Sequence, residues 1–198
     1  LAGPLTVTLF HYGEFNALDV RMAALALTAY ASGLLAFSMV KVLAPGYFAR
    51  QDTRTPVRIG IQALSVNMAL NLLVVLPLAF AYPDRPGLHA LLALNNAIGA
   101  WYNSTMLYRG LRRAGVLQHG PGWKQTLGQV LAANVVMVSF LWWLAGDTQR
   151  WLDMGTWQRV GWMSLLVAGG GTLYFGTLYL LGMRVRHLRV QAPPRLAQ

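Results

Sequence analysis

Long apolar windows separated by short polar breaks organise the chain. Five of them, Met22 to Leu43, Val57 to Phe80, Leu88 to Tyr108, Leu127 to Ala145 and Trp157 to Leu181, approach or exceed the ~20 helical residues that a hydrocarbon core of ~30 Å requires. None contains Asp or Glu. The basic residues inside them, such as Lys41, Arg58 and Arg159, fall near window ends, where long side chains reach the headgroups. Between the windows lie Ala44-Pro45-Gly46, Tyr82 to Gly87, Gly120-Pro121-Gly122 and Gly146-Asp147, which predict turns or helix ends. The pattern predicts an all-α integral membrane protein with five transmembrane helices. Upstream, Leu5 to Phe10 running into His11 to Phe15 reads as the tail of an apolar segment followed by an aromatic, polar loop. It has neither a basic n-region nor an A-x-A cleavage pattern, so the chain is expected to begin mid-protein, with an N-terminal part missing.

Composition sharpens this reading. With 198 residues, 56% hydrophobic against 11% charged and a mean hydropathy of +0.43, there is too little charge to cover a soluble domain. The net charge of +10 and pI near 10.7 raise nucleic acid as a partner. The aromatics, however, border apolar runs instead of alternating with basic residues as a base-stacking surface would, so membrane lipids are expected and nucleic acid is not. Trp142, Trp143, Trp151, Trp157 and Trp162 mark headgroup depth.

Basic residues also set the orientation. Lys41, Arg50, Arg54 and Arg58 flank the first connection, Arg109, Arg112, Arg113 and Lys124 the third, and Arg184, Arg186, Arg189 and Arg195 form the tail. Only Arg21, Arg85, Arg150 and Arg159 fall on the other side, together with Glu14, Asp19, Asp84, Asp147 and Asp153. This places the N-terminal loop outside and the C-terminus in the cytoplasm.

Chemistry is sparse. The absence of cysteine removes disulfides, thiolate zinc sites and thiol nucleophiles. His11, His89, His119 and His187 lie in loops or at span ends and read as interfacial or solvated. No G-x-S-x-G, H-E-x-x-H or dinucleotide glycine motif occurs, and no span holds a carboxylate pair, so neither an enzyme nor a cofactor is expected. Polar groups inside the spans are the remaining candidates, because each is costly in hydrocarbon unless satisfied. Asn67 and Asn71 share a face one turn apart, with Gln62 off that line; Asn95, Asn96, Asn103, Ser104 and Thr105 lie in the third window. They predict either interhelical hydrogen bonds or a hydrated cavity contacting a headgroup or ion. Lys41 either snorkels or pairs with a phosphate. Ala168, Thr172 and Gly176, beside Gly169-Gly170-Gly171, predict close helix approach.

The stretch from Val40 to Arg58, Val-Lys-Val-Leu-Ala-Pro-Gly-Tyr-Phe-Ala-Arg-Gln-Asp-Thr-Arg-Thr-Pro-Val-Arg, closely resembles bacterial lipid II flippases of the MurJ (MviN) family, whose members carry K-V-L-A-P-x-[FY]-[YF]-[AS]-R-Q-D-x-x-T-P-V. Leu9-Phe10-His11-Tyr12-Gly13-Glu14-Phe15 is similar to the family's L-F-x-[YH]-G-x-F, and Leu107 to Arg113 to its L-x-x-x-L-R-[RK] helix exit. The resemblance implies a fragment, helices ten to fourteen, of a fourteen-helix two-lobe flippase of the multidrug/oligosaccharidyl-lipid/polysaccharide exporter superfamily. Residues 1–113 would end the second lobe, 114–183 form the additional C-terminal helix pair, and 184–198 a basic cytoplasmic tail.

It further implies translocation of undecaprenyl-linked peptidoglycan precursor across the bacterial inner membrane by alternating access, with the last two spans offering a groove to the lipid tail. On the matched positions, Lys41, Arg50, Asp52, Arg54 and Pro56 belong to a cytoplasmic connection with structural and gating work. There Pro45-Gly46 is expected to stop one helix, Pro56 to start the next near N1, and Asp52 to pair with Arg50 or Arg54. Some relatives place an Asn and a carboxylate four residues apart in a sodium site; the matching Asn67 and Asn71 are both amides, and no other metal site is expected. An exporter of another polyprenyl-linked saccharide, a non-transporting membrane scaffold, and a transferase relying on Asp52 are the alternatives.

Overall fold

The computed structural model describes residues 1–13, 15–82, 87–117 and 122–183. Glu14, residues 83–86 with Asp84 and Arg85, His119, Gly120, Pro121, and the tail with Arg184, Arg186, His187, Arg189 and Arg195 lie outside the described residues, and with them two of the expected breaks in part. The regular elements described are all helical: α1 (Ala2–Phe10), α2 (Ala17–Phe48), α3 (Arg54–Leu70), a π-turn (Asn71–Val75), α4 (Leu76–Ala81), α5 (Leu88–Arg113), α6 (Trp123–Ala145), α7 (Thr148–Asp153) and α8 (Thr156–Leu180). Two compact units result, Ala2–Gln118 and His119–Gln198.

Among the described residues, four stretches are long and apolar enough to cross a membrane: Ala17–Phe48, the continuous rod Arg54–Ala81, Trp123–Ala145 and Thr156–Leu180. The third expected span forms as the 26-residue α5, but it is not among the four. Its sequence gives the reason, since much of its length is Ala, Gly, Ser and Asn instead of Leu and Val. Those small and amide residues are the ones packed against α2 and α3.

Helix α2 exceeds the Met22–Leu43 window at both ends. A capping box starts it: the Asn16 side chain accepts from the N–H groups of Leu18 and Asp19 at 2.9 and 3.0 Å, and Asp19 accepts from Asn16 N–H at 3.0 Å. The expected stop at Pro45-Gly46 is corrected, because α2 runs through Pro45 to Phe48. Proline's fixed φ suits a helix and here forfeits one main-chain hydrogen bond. Packing holds the final turn: the buried Tyr47 hydroxyl donates to the Leu107 carbonyl at 2.9 Å, and Gly46 faces Leu111. The actual stop is a Schellman motif, with Asp52 N–H on the Tyr47 carbonyl, Gln51 N–H on the Phe48 carbonyl, and Gln51 at φ +59. Gly115 at φ +69 closes α5 in the same way.

In this first unit α5 lies between two neighbours. Parallel to it, α2 approaches so closely that a Cβ on Gly33 would stand 2.9 Å from Ala97 Cα. Ala36, Ala93, Ala97 and Ala100 are buried along the same seam, and Trp101 Nε1 donates to the Ser32 carbonyl at 3.0 Å. Antiparallel to it, α3 meets α5 where Gly99 faces the Ala63 carbonyl and Asn67. At one end Leu43, Tyr47, Ile59, Leu107 and Leu111 form a buried cluster. That cluster gathers the 41–58 connection and the Arg109–Arg113 exit at the same end of the unit.

In the second unit α6 and α8 run antiparallel. Gly169 faces Phe140, Gly170 faces Leu141, and Gln129 Nε2 donates to the Leu181 carbonyl at 2.7 Å. The expected close-approach stripe is therefore corrected: Ala168 and Thr172 are exposed, nothing lies within 4 Å of a Cβ on Gly176, and the adjacent Gly169-Gly170 makes the approach. Where α7 joins the pair, Trp151 is buried and donates to the Ala145 carbonyl at 2.7 Å, and one further expectation changes. Arg159 does not snorkel; it is 6% exposed and donates to the Leu152 carbonyl at 2.9 Å. Trp142, Trp143 and Trp157 remain exposed.

Gly33→Leu is expected to overpack the α2–α5 seam and lower stability by about 1–3 kcal/mol, read as a reduced thermal midpoint of the full-length protein in detergent. Gly60→Ala, where nothing lies within 4 Å of the added Cβ, should leave the midpoint unchanged or raise it.

Candidate functional site

Four of the five cavity candidates come together. Asn95 Nδ2 donates to Asn71 Oδ1 at 2.9 Å, Asn71 Nδ2 to Asn67 Oδ1 at 3.0 Å, and Asn67 Nδ2 to Asn96 Oδ1 at 2.8 Å. The result is a directional chain of amides between the 54–81 rod and α5. Asn95 is buried, Asn67 and Asn71 are half-buried, and Asn96 is exposed. The chain ends on the Asn95 carbonyl oxygen and the Asn96 amino group. Gly99 lies beside the chain, where an added Cβ would be in ordinary van der Waals contact with Asn67 at 3.5 Å.

Directly after Asn71 the rod widens. Leu76 N–H bonds to the Asn71 carbonyl, five residues back, and the π-turn spans Asn71–Val75. Pro77 follows immediately and has no N–H to give the preceding turn. No sequence signal other than Pro77 pointed to this turn, and its position beside the amide chain is the part of the site that pattern reasoning missed.

Lys41 is not brought into the chain. It is exposed on α2 and makes no hydrogen bond with the asparagines. Asn103 also stays apart, with Oδ1 buried and unpartnered, and Gln62 is exposed.

The 45–58 connection is built as two helix ends back to back. Pro45 and Gly46 lie inside α2, Arg50 and Arg54 are exposed, and Pro56 falls in the first turn of α3, where a missing N–H forfeits no intrahelical bond. Asp52 corrects its expected pairing: its carboxylate accepts Thr55 N–H at 3.0 Å, capping α3, and forms no ion pair with Arg50 or Arg54. Hydrogen bonding from Thr55 holds the Asp52 carboxyl below its ordinary pKa, with the Arg50 charge adding to the effect.

The fit to a cation is poor. Three of the four amide oxygens already accept an N–H, and none carries the charge that hard cations favour. Among the described residues no group of three or more His, Cys, Asp or Glu comes together. The set is suited to joining two helices by hydrogen bonds.

Span-length apolar helices, close seams of small residues, and polar groups satisfied between helices define a multi-pass helical membrane protein. The sequence model described as lipid II flippase MurJ matches residues 1–159. The chain belongs to that family. It is 39% identical to a probable lipid II flippase MurJ of Haemophilus influenzae over 95% of this chain and 35% of that protein. It is 37% identical to lipid II flippase MurJ of Burkholderia cenocepacia, over 96% of this chain and 36% of the relative. A probable lipid II flippase MurJ of Vibrio cholerae is 38% identical over 96% and 34% respectively. The chain thus spans about a third of the length of these curated relatives.

Two outcomes follow from the site. In a double-mutant cycle, Asn71→Ala and Asn95→Ala should couple by about 0.6–1.7 kcal/mol, read from thermal or denaturant unfolding of the full-length protein. Because the folded Asp52 pKa is depressed, its stabilisation is complete above the unfolded carboxyl value and fades as pH falls through the folded one. Asp52→Asn, which keeps a capping acceptor, should remove that acid-side loss, whereas Asp52→Ala should lower the thermal midpoint at neutral pH.

Proposed function

We propose that the chain is the C-terminal portion of a flippase that carries lipid-linked peptidoglycan precursor from the inner to the outer leaflet of the bacterial inner membrane. The family match over residues 1–159 carries this reading, and the span-length helices agree with it. The family is named for a transporter, so the work assigned to this portion is movement and binding without bond chemistry.

On this reading residues 1–113 complete the second lobe, 114–183 are the additional helix pair, and the C-terminus is cytoplasmic. The positive-inside rule supports the last assignment, since Lys41, Arg50, Arg54 and Arg58 share one end of the unit with Arg109, Arg112 and Arg113. Alternating access requires helices that move as rigid bodies and connections that bend. The amide chain Asn67, Asn71, Asn95 and Asn96 would make the 54–81 rod and α5 move together. The Pro45-to-Pro56 segment, with one helix stopped and the next capped within four residues, would be the bend, and Lys41 would meet anionic headgroups at its rim.

Depleting the full-length protein should abolish outer-leaflet accessibility of lipid II, restored by the wild-type gene. Asn71→Leu and Asn95→Leu should restore it several-fold less well at matched membrane abundance. Unchanged lipid II exposure on depletion rejects the reading, and accumulation of a different lipid-linked glycan assigns the protein to another saccharide exporter.

A further inference from the structure

The face of the 54–81 rod that meets α5 is marked at every fourth residue: Ile59, Ala63, Asn67, Asn71 and Val75 are all buried or half-buried. A strict α-helix cannot keep such a line. At about 100° per residue, each step of four advances the face by about 40°, and four steps would swing Val75 about 160° from Ile59. The π-turn takes up one residue and brings Val75 back to the interface, where it is buried.

This widened turn has two available hydrogen-bond arrangements. Leu76 N–H now bonds to the Asn71 carbonyl; an α-turn at the same place would use the Leu72 carbonyl instead. What distinguishes the two is the position of Asn71. Its side chain is gripped on both atoms, donating to Asn67 one turn back on the same rod and accepting from Asn95 on α5. Within this portion of the protein little holds α4 beyond the turn. Helix α4 has six residues, buries none of them, and ends at Tyr82 in a non-helical conformation, which can absorb a change of register.

We propose that the π-turn at Asn71–Val75 is a two-position rotary joint latched by the amide chain. Releasing the Asn71 side chain from Asn67 and Asn95 lets Leu76 N–H pass from the Asn71 to the Leu72 carbonyl, and α4 turns about the rod axis by about one residue, roughly 100°. The joint turns one end of a span without unwinding it, because the N–H changes acceptor and is never left bare in the membrane. This inference rests on the geometry of the rod and holds whatever the protein transports.

Single nitroxide labels at Ile61, Leu64, Ser65 and Met68 on α3 and at Leu76, Leu78, Ala79 and Phe80 on α4, in the full-length protein in lipid nanodiscs, test it through their accessibility to lipid-dissolved oxygen. The wild-type pattern along α4 should be out of phase with that of α3 by one residue. In Asn71→Leu it should shift by one position into phase with α3. Asn95→Leu should produce the same shift while leaving the rod's own sequence intact, which keeps the test decisive if Asn71→Leu does not reach the membrane. Wild-type α4 already in phase with α3, or an unshifted pattern in a folded Asn95→Leu protein, overturns the proposal.

Discussion

Close approach between α5 and its two neighbours is the constraint from which the first unit follows. Inside a bilayer, lipid tails solvate an apolar helix as well as another helix does, so association depends on van der Waals fit and hydrogen bonds. The two sides of α5 solve this differently. Toward α2 the middle of the seam is made of small residues, with Gly33 against Ala97 and with Ala36, Ala93 and Ala100 buried. Toward α3 the contact is made by Gly99 and a chain of amides. Leucines at these positions would raise the apolarity of α5 to that of an ordinary span and remove both contacts.

The same logic accounts for what the sequence made legible. Window length and the exclusion of acids follow from bilayer thickness and the cost of charge, so every expected span formed as a helix. The candidate amides were recognisable because an Asn in a span must find a partner, and four of them found one another. Helix ends were less legible. Pro45-Gly46 looks like a stop, but Tyr47 bonding to Leu107 favours one more turn, and that contact joins residues sixty positions apart. Arg159 and Trp151 turn inward because carbonyls freed around the α6–α7–α8 reversal offer acceptors, which local pattern does not reveal. The π-turn depends on a line of contacts with α5, so it emerges only once the helices are packed.

Charge at the basic end of the first unit also follows helix direction. Two helices, α2 and α5, arrive there with their C-termini, and one, α3, departs with its N-terminus. Unpaired carbonyls at a C-terminus favour cations, and unpaired N–H groups at an N-terminus favour anions. Arg112 and Arg113 occupy the last turn of α5, Arg50 follows α2, and Asp52 accepts the Thr55 N–H at the start of α3. Among the described residues of this unit, Asp52 is thus placed by the helix that begins there. Arg54 and Arg58, in the first turns of α3, stand where a helix favours anions, so closing the helices accounts for Arg50, Asp52, Arg112 and Arg113 and not for the whole basic cluster.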